Sequence, residues 1–245
     1  LLLYQSLVLK DGANGYAFRG LVRAYKRMGR LDEAESWVET YLTEKPFSSA
    51  ALYASGYIFY LKEDLKRAEE LFQKALELNE NNALALNNLG AIRLSKKSYT
   101  QAVNLVRKAI QINPKEPMFF KNLETIYKQM GNPSLIITDY NFYLKEKEDL
   151  DLIRGYGMAV GRNMRQASFR LYNKGYLEKT ILKWVEIEKI YKEIDHQSGL
   201  VSVYFSLGIL YEEKGESQNA KNYFDLVLKL NPLHIQAKER LYNIR

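Results

Sequence analysis

The feature that most constrains this chain is a helical residue pattern that recurs every 34 positions. It starts at Gly15, returns at Ser49, Ala83 and Pro117, and appears once more, out of phase, from Val201. A fixed period of this length is typical of stacked repeats rather than of one globular core, because a single repeat cannot bury its apolar face alone. The sequence therefore predicts a row of similar helical repeats.

Small residues recur at two positions of the period and mark the closest helix contacts. The eighth position is Gly56, Gly90 and Gly208 in three of the repeats. The twentieth position is alanine in four repeats: Ala34, Ala68, Ala102 and Ala220. Small side chains let the two helices of a repeat approach closely. Bulky apolar residues at positions four, seven, eleven and twenty-four fill the space around that contact, with Ser55 and Arg93 as exceptions. A proline at position thirty-two of three repeats cannot continue a helix and is expected to start the turn to the next repeat.

This combination of spacing and residue type resembles the tetratricopeptide repeat, in which each repeat is a pair of antiparallel helices. The resemblance covers nearly the whole chain and implies an all-α fold, a right-handed superhelical solenoid built as one array. The predicted divisions are a partial repeat at 1–14, repeats at 15–48, 49–82, 83–116 and 117–150, an irregular extended repeat at 151–200, a repeat at 201–234 and a capping helix at 235–245.

The first ten residues fit the second helix of an earlier repeat, because Tyr4 and Leu7 fall at apolar positions when the frame is carried backwards. We therefore expect the parent chain to extend upstream. A signal or membrane anchor there would decide the compartment, which stays open between the cytoplasm, slightly favoured, and a periplasmic or membrane-anchored location.

The period slips between Pro117 and Val201. The irregular repeat is predicted to have a long first helix, a turn at 173–175 and Trp184 in its second helix. Glycines at 155, 157 and 161 weaken its start, since glycine costs about 1 kcal/mol relative to alanine inside a helix. A bend, a loop or a change in curvature is expected there.

Composition favours a non-catalytic protein without cofactor or metal. The chain has no cysteine, which excludes disulfides, thiolate metal ligands and cysteine nucleophiles. Its two histidines, His196 and His234, have no partner at metal-ligand spacing, and no glycine-rich phosphate loop is present. No apolar run is long enough to cross a membrane, so this chain is not expected to insert into one.

The first helices of the repeats are the expected binding surface, because in the family that the chain resembles they line the inner, concave face. Tyr53, Tyr57 and Tyr60 have the spacing i, i+4, i+7 and form one stripe along a helix. Exposed rings with polar tips suit the capture of a peptide from a partner protein. The alternative is that some of these rings pack against the neighbouring repeat.

Two asparagines, Asn88 and Asn122, occupy the sixth position of consecutive repeats. Asparagines at this position hold ligand backbone in related repeat proteins, so the resemblance implies that role here, although two amides in one register also arise by chance. The other predicted peptide-binding residues are Asn87, Arg19, Arg23 and Lys121. Of these, Arg19, Arg23 and Lys121 would supply charge complementarity to the bound peptide. The clamp that chaperone-binding repeats use for a terminal carboxylate is not matched in the frame that starts at Gly15 or in the one that starts at Ser49.

A basic stretch from Leu152 to Leu177 lacks acidic residues. Its arginines are Arg154, Arg162, Arg165 and Arg170. One interpretation is a site for an acidic peptide or phosphate groups, and another is single-stranded RNA, with Tyr156, Phe169 and Tyr172 stacking on bases. The simplest is that these cations neutralise acids on neighbouring helices, including those in residues 146–151. A spacer or self-associating module is a further alternative for the whole chain.

Overall fold

The computed structural model describes residues 1–146 and 149–244, which form fourteen α-helices and no strand. In chain order the helices are α1 (Leu2–Lys10), α2 (Gly15–Arg27), α3 (Leu31–Glu44), α4 (Ser49–Leu61), α5 (Leu65–Leu78), α6 (Ala83–Ser95), α7 (Tyr99–Ile112), α8 (Pro117–Gln129), α9 (Leu135–Glu146), α10 (Leu150–Asn173), α11 (Leu177–Glu193), α12 (Gln197–Glu213), α13 (Ser217–Leu230) and α14 (Ile235–Asn243). They belong to two compact units, unit 1 (Leu1–Gly131) and unit 2 (Asn132–Arg245), which are described separately.

Unit 1 contains α1 to α8, and each helix packs on the next one in the chain. In addition α2 packs on α4, α4 on α6 and α6 on α8. These four helices, the first helices of their repeats, therefore form one layer, and the second helices α3, α5 and α7 lie behind it. The all-α architecture of antiparallel helix pairs that the sequence predicted is confirmed.

Local signals place the starts of the layer's helices. Asn14, Ser48 and Asn82 stand at the N-caps of α2, α4 and α6, and each side-chain oxygen accepts a hydrogen bond from the backbone N–H three residues later. Each such cap contributes about 1 kcal/mol, because it satisfies a donor that the helix itself leaves free. The turn after α2 contains Gly29 with a φ of +70°, a conformation that glycine adopts without steric cost.

The small residues of the period lie where two helices of a repeat touch, as predicted. A Cβ atom on Gly56 would lie 2.8 Å from the Phe72 ring, and one on Gly90 would lie 2.7 Å from a methyl group of Val106. Ala68 and Ala102, at position twenty, are fully buried. The spacing of these small residues therefore indicates where the two helices of a repeat pack closely.

Unit 2 contains α9 to α14, and here too each helix packs on its successor. The last repeat begins earlier than its predicted start, because α12 starts at Gln197. The repeat predicted at 117–150 contributes α8 to unit 1 and α9 to unit 2. Lys147, Glu148 and Arg245, which fall in two of the predicted divisions, lie outside the described residues.

The long first helix of the irregular repeat is confirmed as α10, and it runs unbroken through its glycines. The loop expected there is therefore wrong. A Cβ atom on Gly157 would lie 2.8 Å from Ile194, and one on Gly161 would overlap the Tyr191 ring, so these glycines permit close packing against α11 and the residue that follows it. The turn at Gly175 has a φ of +77°, and Trp184 is buried in α11 as predicted.

Candidate functional site

The inner face of unit 1 is concave, because its first and last inner helices reach each other. Arg19 of α2 donates from one terminal nitrogen to the Glu116 carboxylate at 3.2 Å and from the other to the Met118 thioether at 2.9 Å. Asn113 donates from its side-chain amide to the hydroxyl of Tyr16. These contacts join residues about three repeats apart, so α2 meets the start of α8 across α4 and α6.

A groove of about 590 Å³ lies beside this contact. Its walls come from α2, from α4 and from the start of α8. Its lining residues are Arg19, Arg23, Lys26, Arg27, Tyr57, Glu116, Pro117, Met118 and Lys121. Among the described residues that line it there are five cationic side chains and one carboxylate. The groove is therefore strongly positive.

Burial corrects the predicted tyrosine stripe. Tyr53 is only 1% exposed, stacks on Phe72 with ring centroids 5.9 Å apart and cannot anchor a ligand from a groove. Burial raises the pKa of its hydroxyl far above the ordinary value. The cause is its position, since α4 has an inner-helix neighbour on both sides, α2 and α6.

The other two tyrosines remain half-buried and face separate cavities. Tyr57 stacks on Tyr53 with ring centroids 6.0 Å apart and lines the basic groove. Tyr60 lines a second cavity of about 280 Å³ together with Asn122. The stripe is thus reduced to two rings that a ligand can reach.

The asparagines form an internal row of hydrogen bonds. Asn122 donates from Nδ2 to Oδ1 of Asn87 at 2.8 Å, and Asn87 donates from Nδ2 to Oδ1 of Asn88 at 3.2 Å. Asn87 is fully buried and Asn88 is 8% exposed, so neither is presented to a ligand. The predicted peptide-binding role of Asn87 and the predicted backbone-binding role of Asn88 are therefore wrong. The buried Nδ2 of Asn88 makes no hydrogen bond of good geometry to a described residue, although the Tyr53 hydroxyl lies near. Asn122 is half-buried and keeps one side in the second cavity.

Among the predicted peptide-binding residues, the three cations agree best with the observed groove, because all of them line it. Arg23 and Lys121 are exposed, and the Arg19 side chain is 12% exposed against Glu116. Sequence reasoning missed Glu116, which belongs to the turn before α8, and Arg27, at the end of α2. The period places Arg19 and Glu116 at unrelated positions, so only the curvature of the layer brings them together.

Three arginines of α10 have no acidic partner among the described residues of the chain. In the ranges that the structure describes, no carboxylate lies within ion-pair distance of Arg154, Arg165 or Arg170, and Arg154 donates from Nε to the backbone oxygen of Ile194 at 3.2 Å. The interpretation that these three neutralise neighbouring acids is therefore not supported there. Arg162 is half-buried in the same helix.

His196 lies near Arg154 and Arg165, and two exposed rings share the face of α10 that carries these two arginines. Burial lowers the pKa of His196, and the positive charges of Arg165 and Arg154 lower it further. Phe169 is 57% exposed and Tyr172 41% exposed, and both follow Arg165 at helical spacing. Tyr156 is fully buried and stacks on Tyr143 with centroids 4.9 Å apart, so its predicted role in base stacking is wrong.

Family models agree with this architecture. Two models of the tetratricopeptide repeat match the chain, one at residues 19–83 and 53–117 and the other at residues 201–232, which together cover more than half of it. The chain belongs to the tetratricopeptide repeat family. Such repeats generally form non-catalytic scaffolds that bind other proteins, which supports a general adaptor role for this tetratricopeptide repeat protein.

Individual relatives are distant. A segment of 120 residues is 27% identical to the Sol locus transcriptional repressor of Clostridium acetobutylicum, covering 49% of this chain and 32% of that protein. The chain thus spans about a third of the length of that curated relative.

Two solved structures are similar to this chain over most of its length. The C-terminal part of a tetratricopeptide repeat protein from Cytophaga hutchinsonii is 15% identical, with a TM-score of 0.50, over 98% of this chain and 92% of that one. PilF of Pseudomonas aeruginosa is 21% identical, with a TM-score of 0.48, over 94% and 96% of the two chains. The likeness to the Cytophaga hutchinsonii structure supports a common fold alone.

The described residues of this repeat protein offer little else for chemistry. They contain no cluster of three histidine, aspartate or glutamate side chains that could hold a metal ion. No described helix has the length and apolar character that a membrane crossing needs. A cavity of about 760 Å³ lies at the turns between repeats, with Phe47 exposed beside it, but none of the predicted site residues lines it.

Proposed function

We propose that this tetratricopeptide repeat protein is a non-catalytic adaptor that binds a peptide segment of a partner protein in the basic groove of unit 1. The observation that carries the proposal is the groove itself, about 590 Å³ on the concave inner face, with reachable side chains from three helices. Its volume lies within the range of ligand-binding sites, and Tyr57 supplies a ring of the kind that dominates binding energy at interfaces.

The second cavity extends the proposed site. Tyr57 and Tyr60 lie about one turn apart on α4, and the cavity beside Tyr60 is lined by Leu94, Ile126 and the amide of Asn122. An extended segment that crosses α4 would place one part beside the cations and another beside these apolar side chains. This arrangement favours a peptide over a small compact ligand.

The proposal is tested with an array of random-sequence peptides of about twelve residues, probed with the wild-type chain and with a Tyr57→Ala/Tyr60→Ala variant. We expect the retained peptides to bind the variant at least about tenfold more weakly, since buried aromatic contacts dominate such interfaces. A matched variant, Tyr176→Ala/Tyr242→Ala, removes two exposed tyrosines of unit 2 and should bind normally. Equal affinity of the wild type and the α4 variant, with melting curves unchanged, would refute the proposed site.

A second candidate function is polyanion binding by unit 2, RNA in particular. It is favoured by one face of α10, where Arg154, Arg165, Phe169 and Tyr172 follow each other at helical spacing and the two arginines lack acidic partners in the described residues. Guanidinium groups and exposed rings together are suited to phosphates and bases of a single strand.

Titration of a single-stranded oligouridine at several salt concentrations tests this candidate. If α10 binds phosphates, Arg154→Gln/Arg165→Gln should weaken binding and reduce the slope of log affinity against log salt by about 0.7 for each phosphate that is no longer neutralised. A charge-matched Lys229→Gln/Lys238→Gln variant should leave the slope unchanged. An equal effect of both variants, or no binding by the wild type, would exclude α10 as an RNA site.

A further inference from the structure

The basic groove of unit 1 already holds one carboxylate, which belongs to the chain itself. Glu116 stands at the N-cap of α8, where its Oε1 accepts a hydrogen bond from the backbone N–H of Met118 at 3.1 Å. Its other oxygen, Oε2, faces Arg19 at 3.2 Å, and the two side chains are 12% exposed for Arg19 and 18% exposed for Glu116. A carboxylate therefore fits this position against a largely buried guanidinium.

The contact leaves Arg19 poorly satisfied. A guanidinium carries five N–H donors in a planar fork that matches both oxygens of a carboxylate. Here one terminal nitrogen meets a single oxygen of Glu116, and the other meets the sulfur of Met118, which is a weak acceptor. A carboxylate that engaged both terminal nitrogens would make the stronger, bidentate pair.

The charges around this pair favour an anion. Arg23, Lys26, Arg27 and Lys121 line the same groove, and Glu116 is the one carboxylate among its described lining residues. Like charges held together in a cleft repel each other, and an anionic ligand relieves that repulsion. The lining is therefore matched to a partner segment that carries more than one acidic side chain.

We infer that the groove binds an acidic peptide segment, one of whose carboxylates replaces Glu116 on Arg19. This inference rests on the proposed function, since it assigns the chemical class of the peptide. Glu116 acts in the free protein as an internal competitor that keeps Arg19 paired until a ligand arrives. The ligand's remaining acids then face Arg23, Arg27 and Lys121.

If Glu116 competes with the ligand for Arg19, removing its negative charge should strengthen peptide binding. The change Glu116→Gln removes the competing charge but keeps a side-chain oxygen that can cap α8. The variant should therefore bind an acidic peptide more tightly, by about three- to tenfold, whereas Arg19→Gln should bind it at least about tenfold more weakly. A loss of groove structure would weaken binding in both variants instead.

The experiment uses two synthetic peptides of about twelve residues, one with alternating glutamate and alanine and one with glutamine in place of every glutamate, measured by fluorescence anisotropy at low and moderate salt. We expect the glutamate peptide to bind at least about tenfold more tightly and to weaken with added salt. Glu216→Gln, which removes a carboxylate of unit 2, is the charge-matched control and should behave as wild type.

The outcomes separate the two proposals. Tighter binding by Glu116→Gln alone supports the displacement of Glu116. Weaker or unchanged binding by Glu116→Gln overturns it. If the glutamine peptide binds as well as the glutamate peptide, or if neither binds, the acidic class of the ligand is wrong, while the random-sequence array with Tyr57→Ala/Tyr60→Ala still decides whether the groove binds peptides at all.

Discussion

The inner face of unit 1 and the exposed face of α10 in unit 2 are both basic, yet they treat their polar groups differently. In unit 1 the buried amides pair with one another and Arg19 pairs with Glu116. On α10, Arg154 donates to a backbone oxygen and Arg165 lies beside His196. In unit 1, Arg19 and the amides of the inner helices thus find partners within the layer, whereas Arg154 and Arg165 of α10 face no carboxylate among the described residues.

Position within the layer decides whether a given residue of the repeat is buried or exposed in unit 1. The fifth position is Arg19 in α2, Tyr53 in α4, Asn87 in α6 and Lys121 in α8. The two middle residues are buried, since α4 and α6 each have inner-helix neighbours on both sides, whereas Lys121 on the last inner helix is exposed. The same position of the repeat is thus buried in the two middle helices and exposed on the last one.

The largest expected effect is on stability, at Asn87, which links the amides of the inner layer of unit 1. The change Asn87→Ala would leave Oδ1 of Asn88 and Nδ2 of Asn122 without the hydrogen bonds they now make, and we expect it to lower the free energy of unfolding by about 1–3 kcal/mol. Urea unfolding followed by circular dichroism measures this change. Asn81→Ala, an exposed asparagine in the turn before α6, is the matched control and should change stability by less than about 0.5 kcal/mol. Equal stability of the two variants would mean that the amide row contributes nothing to the fold.

The architecture was predictable because it depends on spacing alone. Glycine at position eight and alanine at position twenty mark close helix contacts whatever the neighbouring repeats contain, and Gly56 with Phe72 confirms the rule. The continuity of α10 was not predictable in the same way. The helical cost of Gly161 is visible in the sequence, but the space it opens for Tyr191 depends on how α11 packs.

The candidate site was predictable only in part. Residues on the inner helices could be identified from the repeat frame, and Arg23, Tyr57 and Lys121 do line one groove. The sequence left open whether Tyr53 is packed inside the array, and the burial of Asn88 was missed. Both depend on the adjacent inner helices, and a single helix does not decide them. The pairing of Arg19 with Glu116 needed the curvature of unit 1, which no spacing within one repeat encodes.

The smallest expected effect concerns His196, which reports the positive charge of the α10 face. Burial lowers its pKa below the ordinary value of 6.5, and Arg165 and Arg154 lower it further. As the pH falls through 6.5, the unfolded chain therefore takes up a proton before the folded chain does. The contribution of His196 to stability is complete above that pH and disappears progressively as the pH falls toward the lowered pKa of the folded state. Unfolding in urea between about pH 8 and pH 5 should show this decrease in stability, and His196→Gln should remove it.

The source of the lowered pKa can be separated from burial by changing one charge. Arg165→Gln removes a cation near the ring without filling or opening the core, so the pKa of His196, followed by its imidazole proton resonances, should rise toward 6.5. Lys229→Gln makes the same charge change on α13 and should leave that pKa where it is. If both variants shift it equally, the positive potential is a property of unit 2 as a whole rather than of the α10 face. If neither does, burial alone sets the pKa, and the contrast drawn between the two basic surfaces loses its electrostatic support.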